Sequence, residues 1–293
     1  MTPYAVGVDL GGTRIKSVAI TRSGERLLET CDDTGEAMLG WAERIRERIA
    51  SVERALGAPA AAVGLAAPGL AARDEREIAW MQGRLDALEG LDWTDYLGCA
   101  VRVVNDAHAA LLGEAWLGAA AGSRDVVLLT LGTGVGGAVL TDGRLLRGHL
   151  GRAGHLGHLC LDPDGEPDIV GTPGSLEEMI GDCTVRARSA GAFASTEALV
   201  MAYCAGDAQA KEVWLRSVYR LACGIVSLVN AFDPEIVVLG GGISKAAGAL
   251  FDPLAQFMDR LEWRPLGRRV PVVPARLGEY AGAIGVARRA LDD

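Results

Sequence analysis

No cluster of basic residues occurs anywhere in this chain. Its 29 Lys and Arg are outnumbered by 38 Asp and Glu, for a formal net charge of −9. Nucleic acids and anionic membrane surfaces are therefore poor partners, since both are held chiefly by clustered cations. Six cysteines, at 31, 99, 160, 183, 204 and 223, include no CxxC pair. Reduced, mostly buried thiols in a cytoplasmic protein are the expectation. No basic and apolar leader stands before the first strand, so no signal peptide is expected. The longest stretch without a charge, residues 55–72, is rich in Ala and Gly and carries Pro59 and Pro68, which makes it a poor membrane span. There is no low-complexity tract, no GxxxxGK[ST], and no GxGxxG that opens a helix, so neither a Walker A loop nor a dinucleotide fingerprint is present.

What is present is a near-repeat. Val6-Gly-Val-Asp-Leu-Gly-Gly-Thr13 opens the chain, and Leu128-Leu-Thr-Leu-Gly-Thr-Gly-Val-Gly-Gly137 recurs in its middle. Each reads as an apolar strand, a tight Gly/Thr turn and a second apolar run. Glycine permits positive φ and lets main-chain N–H groups approach an anion, and threonine adds a hydroxyl donor. An ordinary Gly-Gly hairpin turn explains either copy alone; two copies suggest two backbone cradles for one polyphosphate. Asp9, at the end of the first strand, is placed to hold Mg²⁺ through water.

With 293 residues, 49% of them hydrophobic, the chain is long enough for two ordinary domains and too apolar for disorder. Residues 4–10 and 15–20 predict a hairpin. Met38, Trp41, Ile45, Ile49, Val52 and Leu56 recur at helical spacing. Short strands are expected over 62–66 and 101–104, and helices over 106–117, 211–232 and 281–291. Residues 118–125 are small and polar, the best hinge candidate. Strands alternating with helices in both halves indicate α/β architecture.

Three further motifs carry chemistry. Asn105-Asp106 closes a buried strand, where one residue can cap the following helix and the other can accept a proton from a hydroxyl. Three of the four histidines fall in Gly148-His-Leu-Gly-Arg-Ala-Gly-His-Leu-Gly-His158. His155 and His158 admit a metal or hydroxyl-binding reading, while Glu177 and Glu178 can simply begin a helix. Gly240-Gly-Gly-Ile-Ser244 is either a packing turn or a flat backbone surface for adenosine.

Taken in order, these motifs resemble the ROK family of sugar kinases, particularly its glucokinase-like members. The matching stretches are Asp9–Lys16, Pro68-Gly69, Asn105–Ala110, Leu131–Gly137, Ala153–His158, Asp233–Ser244 and Ala281–Ala287. The resemblance implies the actin-like ATPase (ribonuclease H-like) fold, two α/β domains with a cleft between them. Residues 1–110 with the C-terminal helix 281–293 would form the small domain, and residues 111–280 the large one. ATP, with Mg²⁺, would be held by Asp9, Gly11, Gly12, Thr13 and Lys16 on one side and Gly132, Thr133 and Gly134 on the other, with Gly241 and Gly242 at the adenosine. Asp106 matches the family's catalytic base. Gly69, Asn105, His155, His158 and Glu177 match sugar-binding positions. The implied reaction is ATP-dependent phosphorylation of a hexose, glucose at its 6-hydroxyl first. An N-acetylmannosamine, N-acetylglucosamine or other hexose kinase is the alternative, and a non-catalytic sugar sensor a further one. The family's repressors carry a preceding helix-turn-helix domain that this chain is not expected to have. A homodimer is implied.

Two departures stand out. Many members carry CxCGxxGCxE after the histidine pair, three cysteines that bind structural zinc with the histidine matching His158. Here those positions hold Asp168, Val170 and Ser175, and no such zinc is expected, with Pro173 and packing left to stiffen the loop. The second is His155, where the family usually has glutamate against hydroxyls near the anomeric carbon. A neutral imidazole offers one donor and one acceptor instead of an anion, so the preferred sugar is expected to depend on this position.

Overall fold

The structure is a computed structural model and describes residues 2–35, 40–82 and 85–292. It divides into two compact units. The first comprises Met1–Gly122, Leu145–Ala153 and Arg276–Asp293; the second comprises Ser123–Arg144 and Gly154–Ala275.

In the first unit, β1 (Tyr4–Leu10), β2 (Arg14–Thr21) and β3 (Arg26–Asp33) form an antiparallel meander. Helix α1 (Gly40–Leu56) follows; its stripe of Trp41, Ile45, Ile49 and Val52 is buried, while Met38 of the predicted stripe lies outside the described residues. Strand β4 (Ala62–Ala67) pairs parallel with β1. The short β5–β6 hairpin (Leu70–Ala71, Ile78–Trp80) and α2 (Trp93–Leu97) lead to β7 (Val101–Asn105), parallel to β4. Helix α3 (Asp106–Leu117) starts where β7 ends. The sheet order is β3-β2-β1-β4-β7. β1 is apolar on both faces because α1 covers one side and the C-terminal helix, Ala281–Leu291, the other.

That C-terminal helix lies close to its neighbours because both sides use glycine. A Cβ at Gly7 would overlap the carbonyl of Ala283, one at Gly64 the carbonyl of Val286, and one at Gly285 the carbonyl of Ala109. No flexible side chain is there to give way, so the helix itself would have to move. Gly285→Ala is expected to lower the unfolding free energy by about 3 kcal/mol, read as the shift of the urea midpoint. An unchanged midpoint would show that the helix has slack.

The second unit repeats the first. β8 (Val126–Leu131), β9 (Val135–Thr141) and β10 (Arg144–Leu145) run in sequence, followed by short helices α4 (Leu176–Ile180) and α5 (Val185–Arg188). Then come α6 (Thr196–Cys204), α7 (Ala208–Phe232), β11 (Ile236–Gly240), α8 (Gly248–Leu261) and β12 (Val272–Pro274). The sheet order is β10-β9-β8-β11-β12, with β11 parallel to both β8 and β12. The near-repeat in sequence is thus a repeat in topology, with β1/β4/β7 corresponding to β8/β11/β12. Among the described residues α7 is the one helix long and apolar enough to cross a membrane; it packs on α4, α6 and α8.

The thiols depart from expectation. Cys31, Cys99, Cys160, Cys183 and Cys204 are exposed and Cys223 is half-buried. Cys31 illustrates the reason, since edge strand β3 alternates between partly and fully exposed positions and buries none of its own residues. The sequence reading also missed β3, whose Arg26-Leu-Leu-Glu-Thr-Cys-Asp-Asp33 has too many polar residues to read as a strand. Pairing with β2 in register from Arg14↔Asp33 to Ile20↔Arg26 supplies what side-chain burial does not.

Candidate active site

The first unit gathers its motif residues at the carboxyl ends of three parallel strands. β1 ends at Asp9, β4 runs into Pro68-Gly69, and β7 ends at Asn105. Strand carboxyl ends leave backbone and side chains pointing off the sheet, the usual place for chemistry in open α/β sheets.

Asn105 caps α3. Its Oδ1 accepts from the N–H groups of Ala107 (3.0 Å) and His108 (3.2 Å), and its Nδ2 donates to the Gly69 carbonyl at 3.0 Å. Gly69 has φ +99°, and a Cβ there would press on the Trp80 carbonyl and the Ile78 side chain, so glycine is required. With the cap assigned to Asn105, the adjacent Asp106 stands exposed as the first helical residue, its Oδ1 accepting from the Ala107 N–H at 2.8 Å. The capping reading of the pair therefore falls to Asn105. Nearby, His108 Nε2 lies 3.0 Å from the Ala153 carbonyl, and Arg147 bonds the Ala72 and Arg73 carbonyls and Glu75. These contacts hold the 145–153 segment to this unit.

Asp9 is the most perturbed carboxyl of the site. Burial, then the charge of Asp106, push it up to about 7, and Lys16 only partly offsets them. Lys16 faces Asp9 across the hairpin, and its Nζ is 4.0 Å from Glu279. A Cβ at Gly282 would touch the Asp9 carboxylate, so the C-terminal helix leaves room for it. The repulsion between these two carboxylates, only partly offset by Lys16, makes a site that a cation would relieve.

The glycine turns do not work quite as their sequence suggests. Gly11, Gly12, Gly132 and Gly134 are all outside the left-handed region. At Gly12, Gly132 and Gly242 a Cβ would meet nothing within 4 Å. Packing does not require glycine at these three positions, and what they provide is bare backbone facing open space. Gly241 is the structural member of its pair, with φ +84° and a Cβ position overlapping the Leu131 backbone. Thr34 braces the first turn, its Oγ1 donating to the Gly11 carbonyl at 2.7 Å and its N–H to the Thr13 carbonyl at 2.9 Å.

In the second unit the turn at 132–134 rests on α4 and on the 3₁₀ turn that follows it, Asp182–Thr184. Asp182 N–H donates to the Gly132 carbonyl at 3.0 Å and Cys183 N–H to Thr133 at 2.9 Å. Glu177 Oε2 accepts from the Val135 N–H at 2.8 Å and fills the space over Gly134. Beside the turn is a cavity of about 570 Å³ lined by Gly132, Thr133, Glu197, Met201, Gly242 and Lys245 among others. That volume lies in the range of small-ligand pockets. The sequence reading found its glycines but missed Asp182, Thr196, Glu197, Met201 and Lys245, which stand on segments without any recognisable spacing. A larger hollow of about 760 Å³ lies against α1 among Arg44, Arg48, Arg54 and Glu47. It is lined largely by charged side chains and includes neither glycine turn.

His155 precedes a short 3₁₀ turn, Leu156–His158. His158 Nδ1 lies 2.8 Å from Asp168 Oδ2. Among the described residues no three His, Cys, Asp or Glu side chains stand close enough to hold a metal ion together.

The chain matches the ROK family over residues 5–292. It is 34% identical over 305 residues to a glucokinase of Thermotoga maritima, covering 96% of this chain and 95% of that protein. It is 31% identical over 302 residues to an N-acetylmannosamine kinase of Citrobacter koseri, covering 98% and 99%. Among solved structures, a ROK hexokinase from Thermus thermophilus superposes with a TM-score of 0.88 at 34% identity, covering 98% of each chain.

Proposed function

The chain belongs to the ROK family and has its actin-like ATPase fold, and from that premise we propose that it transfers the γ-phosphoryl group of ATP to the 6-hydroxyl of a hexose, glucose first. The observation that carries this reading is the pairing of Asp9 and Asp106 at the carboxyl edge of the first sheet, one half-buried and perturbed, the other exposed at a helix start.

Asp106 accepts the proton of the attacking sugar hydroxyl as its oxygen bonds to the γ-phosphorus and the bond to the β-phosphate oxygen breaks. Asn105, whose Oδ1 is committed to the cap, contributes its second Nδ2 hydrogen to a sugar hydroxyl. Gly69 shapes the adjoining backbone. In the second unit His155, His158 and Glu177 bond further hydroxyls. The turns at Gly11-Gly12-Thr13 and Gly132-Thr133-Gly134, open at Gly12 and Gly132, receive phosphate oxygens, with Lys16 adding positive charge. The 570 Å³ cavity bounded by Gly132 and Gly242 takes the adenosine. The residues fit Mg²⁺: Lys16 only partly offsets the repulsion at Asp9, and this ion is commonly bound through one or two carboxylates, water and substrate phosphates. When bound it neutralises charge developing on the phosphates.

A coupled ADP-release assay with Mg-ATP against hexoses and N-acetyl hexosamines tests the reading. Turnover on glucose is the expected result; silence across the panel from folded protein overturns it. The N-acetylmannosamine kinase relative and the loss of the family glutamate at His155 favour an N-acetyl hexosamine as the second reading. His155→Glu is expected to raise the kcat/KM ratio of glucose over N-acetylmannosamine by about tenfold. An unmoved ratio would remove His155 from the sugar site.

A further inference from the structure

Asp168 sits in a folded-back loop of the second unit. The neck of this loop is closed by backbone bonds: Leu161 N–H to Gly174 (2.9 Å) and Leu176 N–H to Leu159 (2.8 Å). Farther out, Pro167 and Pro173 form an antiparallel bridge, Asp168 N–H donates to the Thr172 carbonyl, and Gly171 N–H returns to the Asp168 carbonyl. The Asp168 side chain is wholly buried. Three donors converge on its carboxylate: His158 Nδ1 at 2.8 Å, Val170 N–H at 3.0 Å and Thr172 N–H at 2.9 Å, with Ser175 also favouring the charged form. Burial alone would push this carboxyl up, but the donors, His158 foremost, outweigh it and hold it below its ordinary range.

A carboxylate offers about four lone-pair sites, and here three are used. The second of the three cysteine positions is Val170, which has no ligating atom in its side chain. His158 turns its Nδ1 to Asp168. These residues do not fit a tetrahedral zinc ion, which needs four free donors at one point. The same positions instead form a closed hydrogen-bond network.

The network has a consequence for the imidazole. A carboxylate without a proton only accepts, so Nδ1 of His158 carries the hydrogen, and in the neutral ring Nε2 is a bare acceptor. The ring keeps 27% of its side-chain surface exposed. We propose that Asp168 is a positioning residue for sugar recognition: it fixes His158 in the Nδ1–H tautomer and pins the ring, so that Nε2 accepts from a sugar hydroxyl with no metal in the loop. This rests on the reading of His158 as a sugar contact. A ligand oriented through its other ring nitrogen is a general device, and losing the outer partner typically costs 10- to 100-fold.

The experiment has one part that needs no activity. Long-range ¹H–¹⁵N spectra of the full chain at alkaline pH are expected to show His158 with its hydrogen on Nδ1. An Nε2–H tautomer overturns the proposal. Metal analysis of the purified protein is expected to find far less than one zinc per chain; stoichiometric zinc overturns it. In Asp168→Asn the amide oxygen still serves the Val170 and Thr172 N–H groups, so the NH₂ faces His158. The tautomer is then expected to switch to Nε2–H, with KM for the sugar raised about tenfold or more and KM for ATP within about twofold. An unswitched tautomer with unchanged sugar KM overturns the proposal. A wild-type protein inactive on every sugar would instead remove the kinase reading, while the tautomer and metal results still decide whether Asp168 orients His158.

Discussion

Asp106→Asn is expected to lower kcat by about 10³-fold, with KM for ATP changed by less than about twofold. Asparagine keeps the oxygen that accepts from the Ala107 N–H, and the cap of α3 belongs to Asn105, so the helix start survives the change. What is lost is the capacity to take a proton. Removing a general base costs the chemical step and spares ground-state binding of the nucleotide, so kcat and kcat/KM for the sugar should fall together. ADP release under saturating glucose and ATP measures the effect, with a melting curve to confirm folding. Activity within tenfold of the parent would mean that the sugar oxygen attacks without help from Asp106.

Asp9→Asn is expected to do two opposite things: to lower turnover by about 10²-fold or more, and to make the metal-free protein more stable at about pH 8, by about 4 kcal/mol. The sign follows from the carboxyl's folded-state value, about 7 against 3.8 for the free group. Between those values the folded protein keeps a proton that the unfolded chain releases. Stability from this group is full below about pH 4 and is lost as pH rises through about 7. Asparagine carries no charge and escapes the loss. Mg²⁺ should raise the melting temperature of the parent at about pH 8 and leave Asp9→Asn unmoved, because the ion relieves the Asp9–Asp106 repulsion only where Asp9 is charged. Equal metal-free stabilities of the two proteins across about pH 5 to 8 would mean that Asp9 is an ordinary carboxylate and not the seat of a cation.

The parts of this fold legible in the sequence were those written in apolar periodicity or glycine. The two hairpins, the α1 stripe at Trp41, Ile45, Ile49 and Val52, and the strand-to-Asn105 junction all follow from one-dimensional patterns that survive folding. The reason for the glycines was only partly legible. At Gly12, Gly132 and Gly242 the sequence reads the same whether glycine serves a left-handed turn or an open surface; only the empty space beside each position distinguishes them. Strand β3 was hidden because an edge strand needs little apolar surface. The walls of the nucleotide-sized cavity were hidden because Glu197, Met201 and Lys245 come from α6 and a 3₁₀ turn with no shared spacing. Asp168 was visible as a missing cysteine, but its three donors lie two, four and ten residues away, two on the C-terminal side and one on the N-terminal side, and a lost metal ligand gives no hint of what replaces it.

The C-terminal helix sets an order of events during synthesis. Ala283, Ile284, Ala287 and Leu291 share a buried cluster with Ala5, Val18 and Ile20, residues that leave the ribosome long before them. Everything between Gly122 and Leu145, and between Ala153 and Arg276, belongs to the second unit and must be made first. At about 5–20 residues per second, the nascent first sheet waits on the order of ten seconds with one apolar face uncovered. A trigger for aggregation or chaperone capture is thus built into the connectivity. Ribosome-bound chains halted before Arg276 should be protease-sensitive over β1 and β2, even when β8, β9 and β11 already resist cleavage.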